Sequence, residues 1–217
     1  MPERPGDPAA GSRVKWAVET ARPGRRWAIN SQRTPALVLT VGHSARPLEE
    51  FIHLLQAHGV TLLADVRKMP RSRKNPQFNR ETLPEALRQA GIGYVDLPGL
   101  GGLRRRRPDS PNAGWKNASF QGYADYMLTP EFEQSLHDFL ARAAGQRAAL
   151  MCAEAVPWRC HRSLIADALV VRGIPVEHIL TEKRTQRHTL KPWARVDGTR
   201  LTYPPAAEES DRDVPGP

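Results

Sequence analysis

From about residue 36 to residue 180, apolar and polar positions change period in blocks. Ala36–Val41 is an unbroken run dominated by apolar residues and predicts a buried strand. Pro47–His58 places Leu48, Phe51, Ile52 and Leu55 on one helical face, and Thr61–Val66 reads as a second buried strand. Glu81–Ala90 aligns Leu83, Ala86, Leu87 and Ala90 on a helix that Gly91 ends, before a third strand at Ile92–Leu97. Past a polar stretch, Tyr123–Met127 reads as helical. Thr129-Pro130 then supplies an N-cap and a first-turn proline for a helix burying Phe132, Leu136, Phe139 and Leu140. Ala148–Ala153 is a strand, Cys160–Val171 a helix stopped by Gly173, and Val176–Leu180 the last strand. Strands alternating with amphipathic helices predict an α/β fold: a single domain whose mostly parallel sheet is flanked by helices on both faces. Such sheets bind ligands beyond the carboxyl ends of their strands. His43-Ser44, Asp65–Arg67 and Cys152–Arg162 each fall at such an end.

The flanks lack this patterning. Residues 1–35 are rich in Pro, Gly, Arg and Ser and predict a disordered basic arm, with Trp16 and Trp27 as candidate docking points. Residues 36–203 form the predicted domain, and 204–217 a disordered tail. The net charge is +9, and the arm alone holds seven Lys/Arg against three Asp/Glu. That charge makes nucleic acid a candidate partner, although no DNA- or RNA-binding motif accompanies it. No apolar run approaches the roughly 20 residues that span a bilayer, so no membrane partner is expected. Two cysteines among 217 residues are too few for a disulfide scaffold. They predict reduced thiols and a cytoplasmic protein.

Candidate chemistry concentrates in Cys152-Ala153-Glu154 and Arg159-Cys160-His161-Arg162, a strand end and a helix start joined by a short loop. The outline is similar to the cradle of cysteine phosphatases, but six residues separate Cys152 from Arg159, one more than in those enzymes. A helix N-terminus and two arginines favour a thiolate at Cys160, whereas Cys152, following Leu150 and Met151, reads as a packed thiol. In this reading Cys160 or Cys152 is the nucleophile and His43 or His161 the acid/base, with Glu154 beside them. Arg67, Arg159 and Arg162 clamp an anion, joined by Ser44, Asp65, Arg71 and Arg73 as ligand-binding residues. The same atoms allow a second reading, in which Cys152, Cys160 and His161 hold a transition metal, with His43 as a fourth ligand. A structural reading stands beside each: a buried Asp65–Arg67 ion pair, a packed Cys152 and a solvated Arg104–Arg107 run.

The ordered set of motifs resembles the bacterial family termed domain of unknown function 488. It comprises Val41-Gly42-His43-Ser44, Asp65-Val66-Arg67 with Pro70 and Ser72-Arg73, Gly91-Ile92 with Tyr94, Leu100-Gly101-Gly102, Phe120 with Tyr123 and Met127, and Cys152-Ala153-Glu154 with Cys160-His161-Arg162. These span about residues 38–180. The resemblance implies an α/β fold and a Cys/Glu/Cys-His-Arg site; it names no activity and no cofactor. The basic arm and Arg104–Arg107 depart from the family pattern. The function expected is an enzyme or ligand-binding domain for a small anionic molecule, phosphate-bearing or nucleotide-like. A nucleic-acid-associated module and a transition-metal-binding protein are the alternatives.

Overall fold

The computed structural model describes residues 35–206; the basic arm, with Trp16 and Trp27, and the tail from residue 207 lie outside the described residues. Five parallel strands, β1 (Val38–Gly42), β2 (Leu62–Asp65), β3 (Gly93–Asp96), β4 (Ala148–Cys152) and β5 (Val176–Thr181), form the sheet with one antiparallel edge strand, β6 (Arg184–Arg187). Their order is β3-β2-β4-β1-β5-β6. The fold is therefore the α/β arrangement expected from the alternation of strand and helix.

Side chains alternate across the sheet with the period of two that a strand imposes. Leu39, Val41, Leu63, Ala149 and Met151 face α1 (Leu48–Ala57) and α2 (Leu83–Gln89), packing on Phe51, Leu55, Leu83 and Leu87. Val38, Ala64, Leu150 and Val176 face the other way. There they meet α3 (Ala118–Tyr126), α4 (Pro130–Ala143) and α5 (Arg162–Val170), whose Tyr123, Phe132, Leu136, Leu164 and Ile165 complete a second core. Thr129 caps α4 as its sequence predicts, accepting from the backbone N–H of Phe132.

Two local expectations are corrected. Val176–Thr181 is not the last strand: β6 follows it, and then a hairpin of β7 (Arg195–Asp197) and β8 (Arg200–Thr202). These strands are three or four residues long and mostly polar, so they carry no apolar alternation to read. Buried polar contacts tether this region instead. The Tyr203 hydroxyl donates to Asp167 at 2.6 Å, and His188 Nε2 donates to the same carboxylate at 2.7 Å. His188 Nδ1 then accepts from His178 at 3.0 Å, and His178 Nδ1 accepts from the Thr40 hydroxyl at 2.7 Å. The second correction concerns Cys160. Pro157–Arg159 forms a 3₁₀ turn, Cys160 follows it in extended backbone, and α5 starts only at Arg162. Cys160 therefore precedes the first helical turn, although the Arg162 backbone N–H at that turn still favours its thiolate.

Candidate functional site

β4 lies between β2 and β1, so the three suspected strand ends are neighbours. The chain leaves β1 toward the α1 face and leaves β4 toward the α5 face. This divergence opens a crevice at the carboxyl edge, where open α/β sheets bind ligands. Backbone hydrogen bonds stitch the edge together. The N–H of His43 donates to Cys152 O at 3.0 Å, that of Ser44 to Ala153 O at 2.9 Å, and that of Val66 to Met151 O at 3.0 Å. Gly42 is required here, because a Cβ at that position would stand 2.0 Å from the Glu154 carbonyl oxygen.

Three donor atoms meet in the crevice. Cys152 Sγ, Cys160 Sγ and a ring nitrogen of His161 all lie within 4.8 Å of one another. His161 Nδ1 is 3.6 Å from Cys160 Sγ and 3.9 Å from Cys152 Sγ. Its Nε2 is 3.0 Å from the Val66 carbonyl oxygen. A carbonyl only accepts, so Nε2 carries a proton, and Nδ1 is the ring atom that faces the two sulfurs. Both thiols are free and buried. The neighbouring Cys160 thiol holds Cys152 well below the usual thiol range, and its pairing with Cys152, with burial, pushes Cys160 well above it. His161 and the Glu154 backbone N–H add to the stabilisation of the Cys152 thiolate, against the effect of burial. The surroundings thus favour the thiolate at Cys152, at the strand end, over Cys160, the opposite of the order expected from the sequence.

Several charged residues suspected of holding ligand are engaged within the protein. Asp65 is fully buried and accepts from Arg67 Nε at 2.9 Å, Arg67 Nη2 at 2.6 Å and the Tyr94 hydroxyl at 2.9 Å. Arg67 also donates to Phe78 O at 2.7 Å and to His43 Nε2 at 3.2 Å. It therefore lacks the free donor fork that an anion clamp needs. Arg162, also buried, donates to Glu154 O and, at 2.8 Å, to Ala155 O, which ties down the loop between the cysteines. Ser44 adopts φ 52° and accepts His43 Nδ1–H on its carbonyl at 2.7 Å; α1 starts after Pro47, so Ser44 does not cap it. Arg71 and Arg73 are exposed on the loop after β2 and do not line the crevice. Arg104 lies 3.5 Å over the Tyr126 ring and bonds the Gly99 and Gly101 carbonyls, so it fastens its loop.

Burial pushes His43 down to about 4, helped by the adjacent Arg67 charge, and burial beside His188 pushes His178 down to about 3. Both are neutral in the folded chain, whereas in the unfolded chain they bind protons below about pH 6.5. Their contribution is therefore fully present above pH 6.5 and is lost as pH falls toward 4 and 3. Urea unfolding at pH 5 should show a loss on the order of 2 kcal/mol per histidine relative to pH 7. Equal stability at the two pH values would contradict the neutral assignments.

A cavity of about 400 Å³ opens over the Cys/Cys/His cluster. Three charged side chains on its lining, Lys68, Glu154 and Arg159, make no side-chain hydrogen bond or ion pair with any described residue, unlike Asp65, Arg67 and Arg162. Phe120 also lines it, its ring stacked at 4.8 Å on Trp115 behind. The Gly102 backbone closes over the histidine; a Cβ there would stand 3.0 Å from His161 Nδ1. The importance of Lys68 and of the Val66 carbonyl is not apparent from the sequence. Lys68 stands in a basic run whose members look alike, and a backbone carbonyl has no residue-type signal.

The geometry defines a class: an open α/β sheet with a thiol–imidazole cluster at the crevice where its connections diverge. The family profile described as "Domain of unknown function DUF488" matches residues 47–169, more than half of the chain, and the chain belongs to that family. No curated protein and no solved structure matches it. No helix among the described residues is long and apolar enough to cross a membrane.

Proposed function

We propose that Cys152, Cys160 and His161 hold a transition metal, with zinc the best fit, and that its open coordination position serves a small anionic ligand in the crevice. One observation carries this reading: His161 Nδ1 stands 3.6 and 3.9 Å from the two sulfurs while its Nε2–H is held by the Val66 carbonyl. In tetrahedral zinc sites, with Zn–S about 2.3 Å and Zn–N about 2.0–2.1 Å, sulfur and nitrogen ligands stand about 3.6 Å apart. The nitrogen–sulfur distances match to tenths of an ångström, and the donor atoms, all within 4.8 Å of one another, would close by up to about 1 Å to reach the roughly 3.8 Å between two sulfurs on one zinc. A ligating histidine that donates its other N–H to a backbone carbonyl is the usual supporting contact. Three protein ligands beside a cavity match the catalytic rather than the structural pattern of zinc. Of the three arginines first expected to clamp the anion, Arg159 remains available, and Lys68 joins it in attracting the anion in place of Arg67 and Arg162. A reducing, cytoplasmic setting keeps both thiols available.

A second reading has its own observation. The stabilised Cys152 thiolate beside His161 suits a nucleophile working without metal. Binding to nucleic acid through the basic arm rests on residues outside the described part of the chain.

Titrating chelator-treated full-length protein with zinc by calorimetry separates the first two readings. The metal reading expects one equivalent bound per chain, proton release on binding and a raised unfolding midpoint in zinc. No saturable binding, with Cys152 still fast toward iodoacetamide in the presence of zinc, would favour the metal-free nucleophile.

A further inference from the structure

Resting on the metal reading, we infer that this site hydrolyses the exocyclic amine of a nucleotide base, with Glu154 carrying the protons. Four observations support the inference. Glu154 stands two residues after the ligand Cys152 and lines the same cavity, and its carboxylate bonds no described residue. Its backbone is fixed, since Arg162 holds the Glu154 carbonyl and the Glu154 N–H bonds Cys152 Sγ. Phe120, backed by Trp115 at 4.8 Å, offers a rigid platform for a flat ring. Lys68 and Arg159 supply unpaired cations for a phosphate on the same molecule.

Two sulfurs and one imidazole around a metal, with a nearby carboxylate that is not a ligand, make up the chemistry of hydrolytic base deamination. Here it would arise on an unrelated parallel sheet, since function follows the site and not the fold. The step balances with water as the only co-reactant. A water at the open position gives a proton to the Glu154 carboxylate, and its oxygen forms a bond to the ring carbon that bears the amino group. The electron pair of the C=N bond moves to the ring nitrogen, which takes the proton from Glu154. Glu154 then moves the proton of the added hydroxyl to the amine, the C–N bond breaks, ammonia leaves and a carbonyl remains. No electrons are exchanged with an oxidant or reductant. The apolar Phe120 wall suits the ring.

The test uses full-length protein carrying one equivalent of zinc, incubated separately with CMP, AMP and GMP. Ammonia and inorganic phosphate are measured alongside zinc content. The expected result is ammonia from at least one nucleotide, with no phosphate released and a product carrying a carbonyl in place of the amine. Glu154→Gln should keep its zinc and its nucleotide binding by equilibrium dialysis, yet lose at least about a hundredfold in rate, the usual contribution of a positioned acid/base. Ammonia from none of the three while zinc is bound would overturn the inference and leave the metal reading intact. Phosphate release in place of ammonia, or wild-type rates in Glu154→Gln, would overturn it equally. A chain that takes up no zinc would overturn both.

Discussion

Replacing Asp65 with asparagine is expected to destabilise the chain by about 3–5 kcal/mol, the cost of leaving one partner of a buried ion pair uncompensated. The asparagine keeps the shape and can still accept from the Arg67 backbone N–H, which in the wild type lies 3.0 Å from Asp65 Oδ1. It cannot balance the Arg67 guanidinium, which is only 7% exposed and has neutral His43 as its other side-chain neighbour. The charge then sits unpaired beneath the crevice. Tyr94→Phe, which removes one donor to the same carboxylate, should cost nearer 1 kcal/mol. Urea unfolding with an unchanged m-value checks both. A loss below 1 kcal/mol in Asp65→Asn would mean that water reaches the pair and screens it. The same logic explains why Arg67 does not serve a ligand: its donors support the platform on which the crevice stands.

Cys152→Ser and Cys160→Ser should each weaken zinc binding by two to three decades, and by similar amounts. Whole Cys/His zinc sites bind with roughly 10–16 kcal/mol, so one ligand of four contributes on the order of 3–4 kcal/mol. A serine hydroxyl is a poor substitute because it is neutral at pH 7. The metal-free nucleophile reading predicts a different pattern. There Cys152→Ser abolishes function, whereas Cys160→Ser leaves a working Cys152–His161 pair. Competition against a chromogenic chelator gives the two affinities, and a normal affinity in either variant would remove that cysteine from the metal shell. Both serines also disturb packing, since the cysteines belong to the core formed with α3–α5. Circular dichroism at the temperature of the titration therefore accompanies the measurement.

Much of the fold is legible from the apolar runs, because strands such as Ala148–Cys152 are buried throughout and α4 carries its cap and its apolar stripe in plain sight. Strand order is a different matter. Nothing in the local pattern says that β4 inserts between β2 and β1, yet that insertion brings His43, Arg67 and Cys152 to one edge. The hairpin β7–β8 and strand β6 escape notice because their stability comes from Tyr203, Asp167 and His188, contacts distant in sequence, and not from periodicity. The suspected site residues divide along a line that residue type does not reveal. Arg67, Arg159 and Arg162 look equivalent in sequence, but two are buried and bonded internally while Arg159 is exposed on the cavity lining. The sequence shows only that Cys160 stands near Arg159 and Arg162, whereas in the fold the Cys160 thiol, His161 and the backbone N–H of Glu154 favour the thiolate at Cys152.

X-ray absorption at the zinc edge of the purified full-length protein tests the central claim most directly. The metal reading predicts one zinc per chain with two sulfur neighbours at about 2.3 Å and one imidazole nitrogen at about 2.0–2.1 Å, completed by a light atom from water or ligand. A shell of oxygen and nitrogen alone, with no sulfur, would contradict it.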